Sequence, residues 1–344
     1  MGHFKRKRTP SRRLVRGIFT LSVIAALIIG SIVLIDRHFA DNTVTDTDTS
    51  PATLSSTATS TTVTATVTTT TTTTTVDFDA LSLSAPRLLL YDVMEQTVLY
   101  SKNADAVCAP ASLTKLMTAI VALEYADPDT VLTAGNELYL LDPESSRAGV
   151  YLGYKMTLEQ ALQGLLLKSG NDVAYVMAAQ IGHMMDESLR GQAAIDLFCQ
   201  RMTEKAVELG CTDTVFLNPD GIDKAGHLTT ANDLLKIALH ALDQPLIAAT
   251  VATETVTTTL LSGQTKTWQN SNQLMHPDSS YAYDGTIGLK TGTTAAAGNC
   301  LISCVTRGDR TVLCILLGAN TNTLRYTETI RLLDEVFADT PHTN

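Results

Sequence analysis

The chain reads as an α+β protein in which an antiparallel sheet flanked by helices is joined to an all-helical lobe. Three observations predict this. Alternating, β-rich segments come first, a long stretch of helical periodicity with capping signals fills the middle, and strands followed by one amphipathic helix close the chain. With 344 residues and 44% apolar content there is enough material to bury a full core, once residues 1–80, which do not look globular, are set apart.

In chain order, residues 87–93 and 97–101 alternate and are joined by Met94-Glu95-Gln96, the pattern of a β-hairpin. Leu113, Leu116, Met117, Ile120, Val121 and Leu123 recur at helical spacing, so a helix opening at Ser112 and running through Tyr125 buries one side. Residues 157–242 read as helices with short loops. Thr157 with Gln160 makes a capping box, Thr230 with Asp233 a looser one, and Gly210 stops a helix after Leu209. Ser169-Gly170-Asn171 falls in a break between two of these helices. Strand character returns over 250–260, 298–306 and 311–317, the last two joined at Gly308-Asp309, and 324–337 is an amphipathic helix.

Residues 18–35 carry no charge, follow seven basic residues (Lys5, Arg6, Lys7, Arg8, Arg12, Arg13, Arg16) and end at Asp36. The run is long enough to span a bilayer, and its basic flank places residues 1–17 in the cytoplasm and the remainder outside, as a single-pass membrane protein with a signal anchor. A cleaved signal peptide is the competing reading, but the run exceeds a usual apolar signal core and His38-Phe39-Ala40 is a poor cleavage site. Residues 36–80 are expected to be a disordered, Thr-rich stalk. Within it 68–75 is unbroken Thr, and Leu54 is the one large aliphatic residue of 41–76, too little to offset ordering entropy. The globular domain then spans 81–344, and it carries a strong acidic excess that argues against a nucleic-acid partner.

All six cysteines lie in that domain, where disulfides are chemically allowed, and their pairing is not deducible. The hairpin register at Gly308-Asp309 sets Cys304 opposite Leu313 and Cys314 opposite Ser303, on opposite faces, which forbids a Cys304–Cys314 bond. Cys300 and Cys304 read as buried thiols, and Cys199 and Cys211 bracket a helix too long to bridge. His183, His227, His240 and His276 show no metal spacing and read as structural or exposed; no metal and no cofactor is expected. Trp268 reads as packing.

Three motifs stand in fixed order: Ser112-Leu113-Thr114-Lys115, Ser169-Gly170-Asn171 and Lys290-Thr291-Gly292. A serine hydroxyl is a poor nucleophile at its free pKa, and a lysine three residues on along a helix supplies a base on the same face. Singly, each motif could be a solvated helix face or a turn. As an ordered set they describe a serine acyl-transfer site.

Around them, Ala109-Pro110-Ala111-Ser112-Leu113-Thr114-Lys115-Leu116-Met117-Thr118, Leu165-Leu166-Leu167-Lys168-Ser169-Gly170-Asn171-Asp172, Phe216-Leu217-Asn218-Pro219-Asp220-Gly221 and Gly288-Leu289-Lys290-Thr291-Gly292-Thr293-Thr294 carry a wider likeness. Over residues 86–338 the chain resembles the D-alanyl-D-alanine carboxypeptidase family of low-molecular-mass penicillin-binding proteins. Two departures stand out. Asp220 fills a place where many relatives carry His, and no C-terminal β-domain or amphipathic tail helix follows, which moves the expected anchor to the N-terminus.

The resemblance implies a β-lactamase/transpeptidase-like fold with a central helix aimed at the reaction centre. It implies Ser112 as nucleophile, Lys115 as base, Ser169 as proton relay to the leaving amine, and Asn171 holding the lysine and a substrate amide. Lys290 and Thr291 would take the substrate carboxylate, Gly292 would let its backbone approach, and the N–H groups of Ser112 and Thr293 would form an oxyanion hole. The expected partners are peptidoglycan pentapeptide stems, with β-lactams as covalent inhibitors. A class A β-lactamase would need a Glu-x-x-Leu-Asn segment between the second and third motifs, and none is there. A non-catalytic penicillin-sensing or wall-binding module would have no need of Lys115.

Overall fold

The computed structural model describes residues 77–338, so the tail, the apolar run 18–35 and most of the expected stalk lie outside the described residues. The stalk boundary moves. Phe78–Leu81 is a 3-10 turn whose buried Phe78 ring stacks on Tyr100 at 5.2 Å, while Tyr100 Oη donates to Asp79 at 3.0 Å. One aromatic side chain ties the chain down at Phe78, ahead of the expected start at 81.

The elements follow as β1 (Arg87–Asp92), β2 (Thr97–Lys102), α1 (Thr114–Tyr125), β3 (Val131–Thr133), β4 (Lys155–Thr157), α2 (Leu158–Leu166), α3 (Asn171–Met185), α4 (Gln192–Glu208), α5 (Ala231–Leu242), α6 (Pro245–Val251), β5 (Thr255–Thr259), β6 (Thr265–Gln269), β7 (Thr286–Thr294), β8 (Gly298–Arg307), β9 (Arg310–Ala319) and α7 (Asn322–Phe337). The predicted hairpins combine into a five-stranded antiparallel sheet of order β2-β1-β9-β8-β7, so the two ends of the domain meet where β1 pairs with β9. Period-two alternation splits its residues between two cores. Leu89, Ile302, Cys304, Leu313 and Ile315 face α1 and the helical lobe, whereas Leu88, Leu90, Leu301, Cys314 and Leu316 face α7. Cys304 pairs with Leu313 and Cys314 with Ser303, as the hairpin register required, and all six cysteines are free.

Three local expectations are corrected. Ser112 lies in a 3-10 turn, Ala111–Leu113, that runs into α1 at Thr114, and its hydroxyl caps nothing. Residues 250–254 are not strand. Pro245 starts α6 at its first position, and the hydroxyls of Thr250 and Thr253 bond back to Leu246 O and Ala249 O, which satisfies β-prone residues inside a helix end. The connection between α4 and α5 is long, and Asp233 organises it by accepting from Thr212 N, Asp213 N and Thr214 Oγ1. Among the described residues no single helix is long and apolar enough to cross a membrane.

Candidate active site

The site forms where the Ala111–Leu113 turn, the start of α3, the 217–224 loop and the edge strand β7 converge. Two non-glycine residues there adopt left-handed backbone, Ala111 (φ 50°) and Ser169 (φ 59°), conformations that persist only when their surroundings impose them. Gly221, at φ 91°, backs onto the turn so closely that a Cβ would lie 1.9 Å from Ala111 O, which demands glycine.

Lys115 is fully buried, and its Nζ meets three oxygens: Ser112 Oγ at 2.8 Å, Asn171 Oδ1 at 2.7 Å and Asp220 O at 2.7 Å. Burial pushes its pKa down to about 8, against the opposing pull of Asp220 and Asp172. Lys290, 1% exposed, donates to Thr291 O at 3.0 Å; burial, then the charges of Lys115 and Arg325, hold its pKa well below the usual lysine range. Thr291 Oγ1 meets Ser271 Oγ at 2.7 Å. An open cleft of about 380 Å³ is lined by Ser112, Ser169, Thr291, Gly292 and Thr293, with Arg325 at its wall. Gly292 abuts the turn, where a Cβ would come within 3.1 Å of Ser112 N. All eight residues singled out by the motifs therefore converge, Lys115, Asn171 and Lys290 behind the surface and the others on it. Ser169 Oγ makes no hydrogen bond to Lys115 or Lys290 in this state.

Several neighbours escaped the motif reading. Arg325 reaches from α7 to Gly292 O (3.2 Å), Thr293 Oγ1 (3.1 Å) and Cys300 O (3.3 Å), leaving its Nε unpaired. The available signal was an arginine on the stripe of α7 that also carries Thr329, Leu332 and Leu333. Asp172, fully buried, accepts N–H bonds from Ala148, Gly149, Val150 and Val173 at 2.8–3.0 Å, and so pins the strap that places Ser146 in the cleft. Trp268 packs in the core and donates Nε1–H to Ala148 O in the same strap. His227 is structural: Leu217 N–H donates to Nδ1, so Nε2–H faces Thr114 Oγ1, and burial pushes its pKa down to about 4.

The chain is similar to known proteins in sequence and in fold. A family model for D-alanyl-D-alanine carboxypeptidase matches residues 68–321. The D-alanyl-D-alanine carboxypeptidase of Streptomyces sp. strain K15 is 32% identical over 251 residues, 70% of this chain and 83% of that protein. The D-alanyl-D-alanine carboxypeptidase DacF of Bacillus subtilis strain 168 is 31% identical over 70% of this chain and 59% of its own length. The crystal structure of the Streptomyces K15 DD-transpeptidase superposes with a TM-score of 0.69 at 31% identity, covering 74% of this chain and 98% of that one. On the family match and the shared fold, the chain belongs to the D-alanyl-D-alanine carboxypeptidase family of serine peptidases.

Proposed function

We propose that this protein is a membrane-anchored carboxypeptidase that removes the terminal D-alanine of peptidoglycan stem peptides through an acyl-enzyme on Ser112. The contact that carries the reading is the buried Lys115 Nζ at 2.8 Å from Ser112 Oγ. As a neutral amine it would give its two protons to Asn171 Oδ1 and Asp220 O, which leaves its lone pair for the Ser112 hydroxyl proton. Ser112 Oγ then attacks the carbonyl, and the N–H groups of Ser112 and Thr293 take the developing oxyanion. Ser169 passes the proton on to the departing D-alanine amine, and water releases the shortened peptide. Thr291 and Arg325, both on the cleft wall, hold the terminal carboxylate, the guanidinium as a charge-assisted partner for a planar anion, with Lys290 behind them against Thr291 O. A β-lactam presents its carbonyl to the same nucleophile.

The anchor, stalk and extracytoplasmic placement rest on sequence: the uncharged run 18–35 behind seven basic residues, then the Thr-rich segment. A second reading, transfer of the acyl group to an amine instead of water, is favoured by the name of the similar Streptomyces structure. Incubating a pentapeptide stem with and without an amine acceptor, followed by mass spectrometry, separates the two: loss of one D-alanine in water, or a new amide. Ser112→Ala should abolish both products and covalent labelling by penicillin. A folded Ser112→Ala protein that still takes the label would remove Ser112 as nucleophile.

A further inference from the structure

Two N–H groups that share one oxyanion must keep a fixed separation, and here they come from segments far apart in the chain. Ser112 N–H belongs to the Ala111–Leu113 turn. Thr293 N–H belongs to the end of β7, a strand at the edge of the sheet. Their separation is set by the packing of Gly292 against the turn and by whatever ties the two segments together.

The turn is tied to the 217–224 loop. Gly221 backs onto the Ala111–Ser112 peptide, Lys115 Nζ donates to Asp220 O at 2.7 Å, and Thr118 Oγ1 donates to Pro219 O at 2.7 Å. Asn218 braces the loop from within, accepting from Gly221 N–H at 2.8 Å and donating to Ile222 O at 2.7 Å. A loop bonded in this way moves with α1. Asp223 follows directly, and its carboxylate reaches the other segment.

Both of its oxygens are engaged there. Oδ1 accepts from Thr294 Oγ1 at 2.6 Å, and Oδ2 accepts from Ala296 N–H at 2.8 Å. Thr294 Oγ1 in turn accepts from Ala297 N–H at 3.1 Å, so the hydroxyl that grips Asp223 also closes the β7–β8 turn. Among the described residues, the two bonds to Asp223 are the hydrogen bonds that join the 217–224 loop to the β7–β8 hairpin. Two charge-assisted bonds to one planar carboxylate fix orientation as well as distance. Asp223 is exposed, where a hydrogen bond adds little to stability, but it links the arm bearing Ser112 and Lys115 to the residue next to Thr293. Resting on the acyl-enzyme reading above, we propose that Asp223 is a positioning residue, which clasps the end of β7 to the 217–224 loop and so holds Thr293 N–H at the distance from Ser112 N–H that the oxyanion requires.

Asp223→Ala and Thr294→Val each cut the clasp, and Thr294→Ser keeps its hydroxyl. The readouts are kcat and KM for D-alanine release from a pentapeptide, the rate of covalent labelling by penicillin, and the melting temperature. Both cutting variants should lower kcat and the labelling rate about ten-fold to a hundred-fold and leave KM within about two-fold, because the donor is misplaced while the carboxylate contacts at Thr291 and Arg325 persist. Thr294→Ser should restore both rates. Combining Asp223→Ala with Thr294→Val should be no slower than the slower single variant, since both cut one link. Folded variants with a lower melting temperature but unchanged kcat and labelling would overturn the proposal, as would losses confined to KM or losses that add in the double variant. Unmodified protein that penicillin labels but that releases no D-alanine would overturn the carboxypeptidase reading alone, and the clasp would then stand or fall on the labelling rates.

Discussion

Lys115 has no contact with solvent and three oxygen neighbours, so its charge is set by the balance between burial, which lowers its pKa, and the carboxylates of Asp220 and Asp172, which raise it. The result, about 8, gives the acylation reaction a pH dependence with a definite sign. Only the neutral amine can accept the Ser112 proton. The penicillin acylation rate should therefore rise about ten-fold per pH unit below that value and level off above it. Stopped-flow labelling between pH 6 and 9 measures this, and a flat profile would remove Lys115 as the base. Lys115→Arg, which stays protonated, should slow labelling by roughly 10²- to 10⁴-fold.

Among the elements, the strap 146–150 is the most exposed to a single change. It has no regular secondary structure, and what holds it is the Asp172 carboxylate at the start of α3, where several backbone N–H groups converge on one anion. Asp172→Asn places an NH₂ among those donors. The substitution should cost about 3 kcal/mol in urea unfolding, and because Asn171 N–H bonds Ser146 O, acylation should slow as well. Unchanged stability together with unchanged acylation would show the strap to be held by other means. The edge position of β7 belongs to the same scale: an unpaired strand edge beside Ser112 is a ready template for a substrate backbone, and Gly292 keeps it clear.

For the whole molecule, two apolar cores on either side of one sheet supply cohesion without covalent links, since Cys300, Cys304 and Cys314 are buried and unpaired, with pKa values pushed up to about 12. Reducing agent should leave the melting temperature unchanged. A fall would expose a disulfide and contradict the free state of the six thiols. The boundary of the folded unit is testable at Phe78, whose ring closes the α7-side core. Phe78→Ala should cost about 3 kcal/mol, seen as a lower urea midpoint.

The sequence by itself determined what depends on neighbours along the chain. Hairpins, capping boxes, the opposed faces of Cys304 and Cys314 and the ordered motifs were all legible, because period-two and period-3.6 patterns and i,i+3 spacing are local. Lys115 beside Ser112 follows from one helical turn. Asn171, 56 residues away, was expected at the lysine only through the family resemblance, and the tertiary structure alone brought in Asp220, 105 residues away, which contributes a main-chain oxygen that no side-chain identity announces. Arg325, Ser271 and the Asp172 strap were hidden for the same reason. Residues 250–254, the end of α6 and the turn after it, misread as strand because the hydroxyls of Thr250 and Thr253 bond back to main-chain oxygens four residues earlier and override the β preference of threonine. Propensity is a local average, whereas an active site is assembled from distant segments that fit only once both cores have closed.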